Sequence, residues 1–229
     1  MIRTPMELHE IKRNIASEDP QDRMKAITAL KDHAPEVAVP LLLTRKDDRE
    51  FMIRSFVAMG LGFKQTPEAY AALLEIVQFD RDVNVRSEAA NSLGKYGDVA
   101  TPVLLKAFRE NDHWLMRLSV FPILEALAEA GKLSKAELYD LCMLGLQDKD
   151  VMVKASAIAQ LQHFAGTSYE AGALNALTQC AQAKRWYVRR QTAMSLKAFD
   201  TEAAQDLLAM LQRDEDHRVV AATLESLVS

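Results

Sequence analysis

The chain repeats itself. An acidic residue, a basic residue four later and a leucine seven after that recur as Asp19/Arg23/Leu30, Glu50/Arg54/Leu61 and Asp82/Arg86/Leu93. The series continues through a degraded His113/Arg117/Leu124 to Asp150/Lys154/Leu161, Arg185/Arg189/Leu196 and Asp216/Val220/Leu227. The basic positions advance by 31, 32, 31, 37, 35 and 31 residues. A period of this length marks stacked supersecondary units, none of which can bury its apolar face alone.

The third unit shows what each repeat contains. Thr66-Pro67 reads as a helix start, with Thr as cap and Pro in the first turn, where its missing N–H costs nothing. Tyr70, Leu73, Leu74 and Val77 then recur at helical spacing. Asp80-Arg81-Asp82 forms a turn and caps a second helix, whose stripe is Val85, Ala89, Ala90 and Leu93 and whose terminator is Gly94. Each unit is thus helix A, a tight acidic turn and helix B. Helix starts are expected at Thr4-Pro5 with Glu7, Asp19-Pro20, Thr101-Pro102 and the Ser134–Glu137 capping box. Pro40 and Pro122 fall inside helical patterns and predict kinks or breaks. The extra residues near Ala130-Gly131-Lys132 predict a longer helix B or loop before the fifth unit. Position three after the basic residue is always small or β-branched (Ala26, Val57, Ala89, Val120, Ala157, Thr192, Thr223), as close helix packing requires. The fold class expected is all-α: a solenoid of about seven antiparallel helix pairs forming one domain over residues 1–229.

Charge and composition narrow the function. The formal net charge is −4, with both signs mixed along the chain, which disfavours nucleic acid and charged membranes as partners. No apolar run approaches a membrane span, and the polar start MIRTPMELHEIK is no cleavable signal. Cys142 and Cys180 occupy non-equivalent positions and belong to no metal-binding cluster, which fits packed thiols in a reduced, cytoplasmic setting.

The string Asp82-Val83-Asn84-Val85-Arg86-Ser87-Glu88-Ala89-Ala90-Asn91-Ser92-Leu93-Gly94 resembles the HEAT repeat, and its short spacing looks most like the phycobilisome lyase-type subtype. The resemblance covers nearly the whole chain. It implies that helix B lines a concave face and that turn acids and arginines form a ladder. Asp19, Arg23, Arg54, Asp82, Arg86, Arg117, Asp150, Lys154 and Arg189 are read as that ladder, a structural row rather than a phosphate-binding stripe. A HEAT-type hydroxylase family binds iron through repeated His-Glu pairs. Only His9-Glu10 has that dipeptide here, so no metal site is carried over. HExxH, GxSxG and phosphate-loop motifs do not occur, so no catalytic residue is assigned. Phe51, Trp114 and Trp186 share the register three before the basic residue and are read as turn-packing side chains.

The informative positions are those of helix B that point away from the core, at −2, +2, +5 and +9 from the basic residue. They are polar in the first unit (Gln21, Lys25, Thr28, Asp32) and the third (Asn84, Glu88, Asn91, Lys95). The second unit breaks the rule with Met52, Phe56, Met59 and Phe63. Leu115 and Leu118, Met152, Tyr187 and Met194 add apolar surface in later units. A contiguous apolar patch marks a docking site, extra core or a self-association surface.

The leading functional expectation is a non-enzymatic scaffold holding another protein, such as a phycobiliprotein or other helical partner, in this groove. The resemblance places it in phycobilisome assembly, chromophore handling or turnover, with no cofactor. The enzymatic alternative is a bilin lyase or bilin chaperone. Its candidate bilin contacts are Arg54, Lys64 and Glu88, although similar lyases act as two-chain pairs. A HEAT-like DNA glycosylase ranks below both, because its groove would need many more basic residues. Homodimerisation through the patch is a further expectation.

Overall fold

The computed structural model describes residues 6–111 and 113–224, and the expected cap at Thr4-Pro5 lies outside them. Fourteen α-helices and no strands are found among the described residues. They are α1 (Leu8–Ile15), α2 (Pro20–Ala29), α3 (Pro35–Leu43), α4 (Phe51–Lys64), α5 (Pro67–Phe79), α6 (Val83–Leu93) and α7 (Thr101–Glu110). The rest are α8 (Trp114–Glu129), α9 (Lys135–Leu146), α10 (Val151–Gln160), α11 (Glu170–Ala181), α12 (Trp186–Leu196), α13 (Glu202–Leu211) and α14 (His217–Leu224). Odd-numbered helices are the A helices and even-numbered ones the B helices, as the repeat predicts for an all-α solenoid.

The chain forms two compact units, one running to Leu127 and one from Ala128. In the first, α2 packs on α4 and α4 on α6, while α1, α3 and α5 each pack on the B helix that follows them. In the second, α10 packs on α12 and α12 on α14, with α9, α11 and α13 alongside. The residue three after each basic position is buried in every repeat, from Ala26 to Thr223, and so is every repeat leucine from Leu30 to Leu196. Removing these stripes from water is the main force that stacks the pairs.

Helix starts follow the sequence with one exception. Asp19 accepts from the backbone N–H of Gln21 at 2.9 Å, Thr66 from Ala69 at 3.2 Å, and Asp82 from Asn84 at 2.8 Å. Ser134 and Glu137 form the reciprocal capping box. Thr101, expected as a cap, is instead the first helical residue of α7, and its hydroxyl caps nothing. A 3-10 turn over Gly94–Ala100 runs straight into α7, so Ala100 is already helical (φ −85°, ψ −11°) and no extended capping residue exists. Gly94 also departs from expectation. It is right-handed (φ −54°), and a Cβ there would lie 2.8 Å from Ile123 Cγ2, so this glycine serves close approach to α8. The left-handed turn falls to Gly97 (φ 68°). Pro40 and Pro122 do not break α3 or α8. Both prolines are exposed, so the hydrogen bond each forfeits lies on the solvent side of its helix. The longer spacing before the fifth unit is taken up by α8, at 16 residues the longest described helix.

The ladder exists, but its acids are not the expected ones. Asp19, Asp82 and Asp150 are N-caps whose carboxylates are taken by their own helices. The arginines pair instead with the acid six residues before the next repeat's basic position. Arg23 meets Asp48 (Nε–Oδ2 2.8 Å), Arg54 meets Asp80 (2.7 Å) and Arg189 meets Asp214 (2.6 Å), with a second Nη2 contact in each pair at 2.8–3.0 Å. The third guanidinium nitrogen turns back on its own repeat. Arg23 Nη1 donates to the carbonyls of Ser17 and Glu18, Arg54 Nη1 to that of Asp48, Arg86 Nη1 to that of Asp80 and Arg189 Nη1 to that of Ala183. Arg117 does the same with the Asn111 carbonyl.

The same −6 side chain also braces its own turn. Asp48, Asp80, Asp148 and Asp214 accept the backbone N–H two residues later at 2.7–3.0 Å. The −6 column reads Ser17, Asp48, Asp80, Asn111, Asp148, Ala183 and Asp214. Ser17 braces its turn through its hydroxyl, which accepts the N–H of Asp19 at 3.1 Å. Asn111 and Ala183 interrupt the ladder at interior positions.

Candidate functional site

Helix α4 presents two faces of unlike kind. Ile53, Val57, Ala58 and Leu61 are buried against α2, α3, α5 and α6. On its outer side Met52 is 51% exposed, Met59 36% and Phe63 53%, with Phe56 half-buried between them. These four residues follow the i, i+4, i+7, i+11 spacing of a single helical stripe. The helices on either side do not extend the stripe. On α2 and the turn after it the equivalent positions are the exposed Gln21, Lys25, Thr28 and Asp32, and on α6 and the turn after it they are Asn84, Glu88, Asn91 and Lys95. The result is a narrow apolar strip with polar rims, the composition pattern of a docking surface.

Phe56, Met59 and Phe63 also line a small cavity of about 80 Å³, closed by Ile27, Leu30 and Leu42 beneath. A space of this size suits one apolar side chain. Gly60 helps open it: a Cβ there would touch Leu42 Cδ2 at 3.0 Å. Two lysines stand at its edges. Lys64 Nζ is held by the carbonyls of Lys31 (2.8 Å) and His33 (2.6 Å), and burial lowers its pKa from the ordinary lysine value. Lys95 Nζ lies 4.2 Å from the centre of the Phe63 ring, a cation–π contact reaching across the rim from the 3-10 turn that follows α6. Beside it, burial raises the Glu88 carboxyl above its ordinary value while Lys95 pulls it back.

The other expected contact residues are dispersed. Leu115 and Leu118 are half-buried on α8. In the second unit Met152 is well exposed on α10, whereas Tyr187 and Met194 are half-buried on α12. Of the turn aromatics, Trp186 is packed as expected, with the Arg218 guanidinium 3.5 Å above its ring. Phe51 and Trp114 remain more than 40% exposed, and Trp114 stacks on His113 at 5.8 Å. Phe79, at the end of the A helix α5 and so outside the B-helix register, is the most exposed large apolar side chain among the described residues. Arg54, a candidate for binding a tetrapyrrole propionate, is buried and committed to Asp80, so its guanidinium faces the ladder.

A second cavity, about 550 Å³, opens in the second unit between α9, α10, α11 and α12. Its wall combines Met143, Leu146 and Ile158 with Lys149, Lys154, Lys184 and Arg185. The half-buried Cys180 thiol also lines it. Burial raises the thiol's pKa, and Lys154 opposes the shift. Cys142 is fully buried.

HEAT repeats match residues 45–128 and 139–228, three quarters of the chain. The chain belongs to the HEAT-repeat family. No curated protein matches it in sequence. Among solved structures it is similar to the CpcE–CpcF complex of phycocyanin lyase from Nostoc sp. PCC7120. The TM-score is 0.54 at 18% identity, covering 100% of this chain and 97% of that one. It is also similar to a condensin subcomplex from S. pombe, with a TM-score of 0.57 at 19% identity, covering 96% of this chain and 31% of that one. Both likenesses are of fold. A HEAT array is a helical scaffold, and no helix among the described residues is long and apolar enough to cross a membrane.

Proposed function

We propose that this HEAT-repeat protein is a non-enzymatic scaffold that docks a partner protein on the outer face of α4. The observation that carries the reading is the strip Met52–Phe56–Met59–Phe63: apolar, largely exposed, backed by a side-chain-sized cavity and bounded on both sides by polar helices. Methionine and phenylalanine make adaptable, high-area contacts, and four such side chains supply ~6–12 kcal/mol of gross burial before association costs. A helical partner fits best, because the strip spans three turns and the cavity takes one anchoring side chain. The repeat resembles the short phycobilisome lyase-type unit, which supports a phycobiliprotein as that partner and a role in phycobilisome assembly, chromophore handling or turnover.

The test is a Met59→Glu/Phe63→Glu double variant. Both side chains are exposed at the site of change, so circular dichroism should match the parent chain. Pulldown from the native host should lose its specific partners. Retention of the same partners by the folded variant removes α4 as the docking face.

A further inference from the structure

We infer that the cavity of the second unit is a binding site for an acidic peptide segment, whose carboxylate takes the place of the ladder acid missing at Ala183. In the third and seventh repeats, where the ladder is complete, two acids flank the turn. One, at −6, pairs with the preceding arginine and accepts a turn N–H; the other, at −4, caps helix B. In the sixth repeat both are gone, replaced by Ala183 and Arg185. The N–H of Arg185 therefore lacks the side-chain acceptor that Asp48, Asp80, Asp148 and Asp214 provide elsewhere. Helix α12 also begins without a side-chain cap.

The basic residue that should face the absent acid is Lys154, and its ammonium has no hydrogen-bond or ion-pair partner among the described residues. Where the carboxylates would sit there is instead the cavity of about 550 Å³. Lys149, Lys154, Lys184 and Arg185 line it, no acid does, and Gln147, Asn175 and Gln179 add amides. Uncapped helix N–H groups, an unpaired ammonium and a one-signed wall all favour an anion. The remaining wall is apolar: Met143, Leu146, Val151, Ile158, Tyr187 and Val188. A carboxylate flanked by apolar side chains, presented as polypeptide just as the native ladder presents its own, satisfies both halves. The other interrupted rung, at Asn111, makes the contrast. There Asn111 Oδ1 still accepts the N–H of His113 at 3.0 Å, and the neighbouring cavity of about 390 Å³ contains Glu110 as well as Lys106.

The probe is an N-acetylated, C-terminally amidated Leu-Asp-Phe-Leu peptide, whose only charge is its carboxylate, set against its Asn counterpart. It is titrated into the full isotope-labelled chain and read at the amides of Arg185, Trp186 and Tyr187. Protection of Cys180 from alkylation is located by mass spectrometry. The Asp peptide should shift those amides and protect Cys180, and the Asn peptide should bind at least about tenfold more weakly. Ala183→Asp refills the rung from within and should abolish binding. Lys154→Gln, a change at a half-buried surface position, should weaken binding without altering circular dichroism and covers the case in which Ala183→Asp misfolds. Equal binding of the two peptides, undiminished binding to Lys154→Gln, or displacement by acetate or inorganic phosphate at the peptide's own concentration would overturn the assignment. The Met59→Glu/Phe63→Glu chain should bind the peptide normally, so failure here and failure of the α4 face are read separately.

Discussion

Two aspartates two residues apart, Asp80 and Asp82, do different work, and their energies should differ accordingly. Asp82 caps α6 through the N–H of Asn84, an exposed bond. Asp80 takes the Arg54 guanidinium in two contacts of 2.7 and 3.0 Å, with both side chains under a tenth exposed. Losing a cap costs about 0.5–2 kcal/mol. Losing one side of a buried bidentate pair leaves a desolvated guanidinium uncompensated and costs about 3–5 kcal/mol. Urea unfolding should therefore place Asp80→Ala well below Asp82→Ala in stability. Equal losses would mean that the pair contributes no more than a cap. In the sequence the Asp82 column is the more regular of the two and points to the pairing. The −6 column was equally visible as Asp48, Asp80, Asn111, Asp148, Ala183 and Asp214. What the letters do not carry is which of two neighbouring carboxylates a helix N-terminus has already claimed.

At the scale of the element, the spacing between stacked B helices is set by residues too small to notice in a hydrophobic pattern. Gly62 lies on the buried side of α4, and a Cβ there would fall 2.6 Å from Ser92 Cβ and 3.1 Å from Ser92 Cα on α6. Replacing a helical glycine with alanine ordinarily stabilises by roughly 0.5–1 kcal/mol. Here the neighbour is close to the backbone and cannot rotate away, so overpacking should dominate and Gly62→Ala should destabilise by about 1–3 kcal/mol. A thermal melt showing any gain would contradict this contact. Helix existence and register were legible because the stripes at +3 and +7 repeat without a gap. The surface strip on α4 was legible for the same reason, since once the register is known Met52, Met59 and Phe63 can point only outward. The α7 start was not legible, because the 3-10 turn over Gly94–Ala100 leads straight into Thr101 and leaves no extended capping residue before it.

For the molecule as a whole, acid should act in two opposed steps. Glu88 is pushed above its ordinary value of 4.5 by burial, with Lys95 working the other way. A carboxyl raised in the folded state costs stability while ionised, and that cost is relieved as pH falls through the folded value toward 4.5. Asp214 moves in the opposite direction. The hydrogen bond from Arg189 holds it below its ordinary 3.8, more than offsetting its burial. Asp82 is also lowered: burial pushes it up, but the backbone and side-chain hydrogen bonds of Asn84 outweigh this. Both contribute stability that is complete above the unfolded carboxylate value and is lost as pH falls through their depressed folded values. Stability measured by urea unfolding should therefore rise slightly from neutral into mildly acidic solution and then drop in strong acid. Glu88→Gln should remove the mild-acid rise and leave the steep acid limb in place. Asp214→Asn should lower stability at neutral pH and flatten the acid limb, because the proton it would have taken up no longer matters. If Glu88→Gln leaves the whole profile unchanged, the carboxyl on the rim of the docking strip is not held as burial beside Lys95 requires.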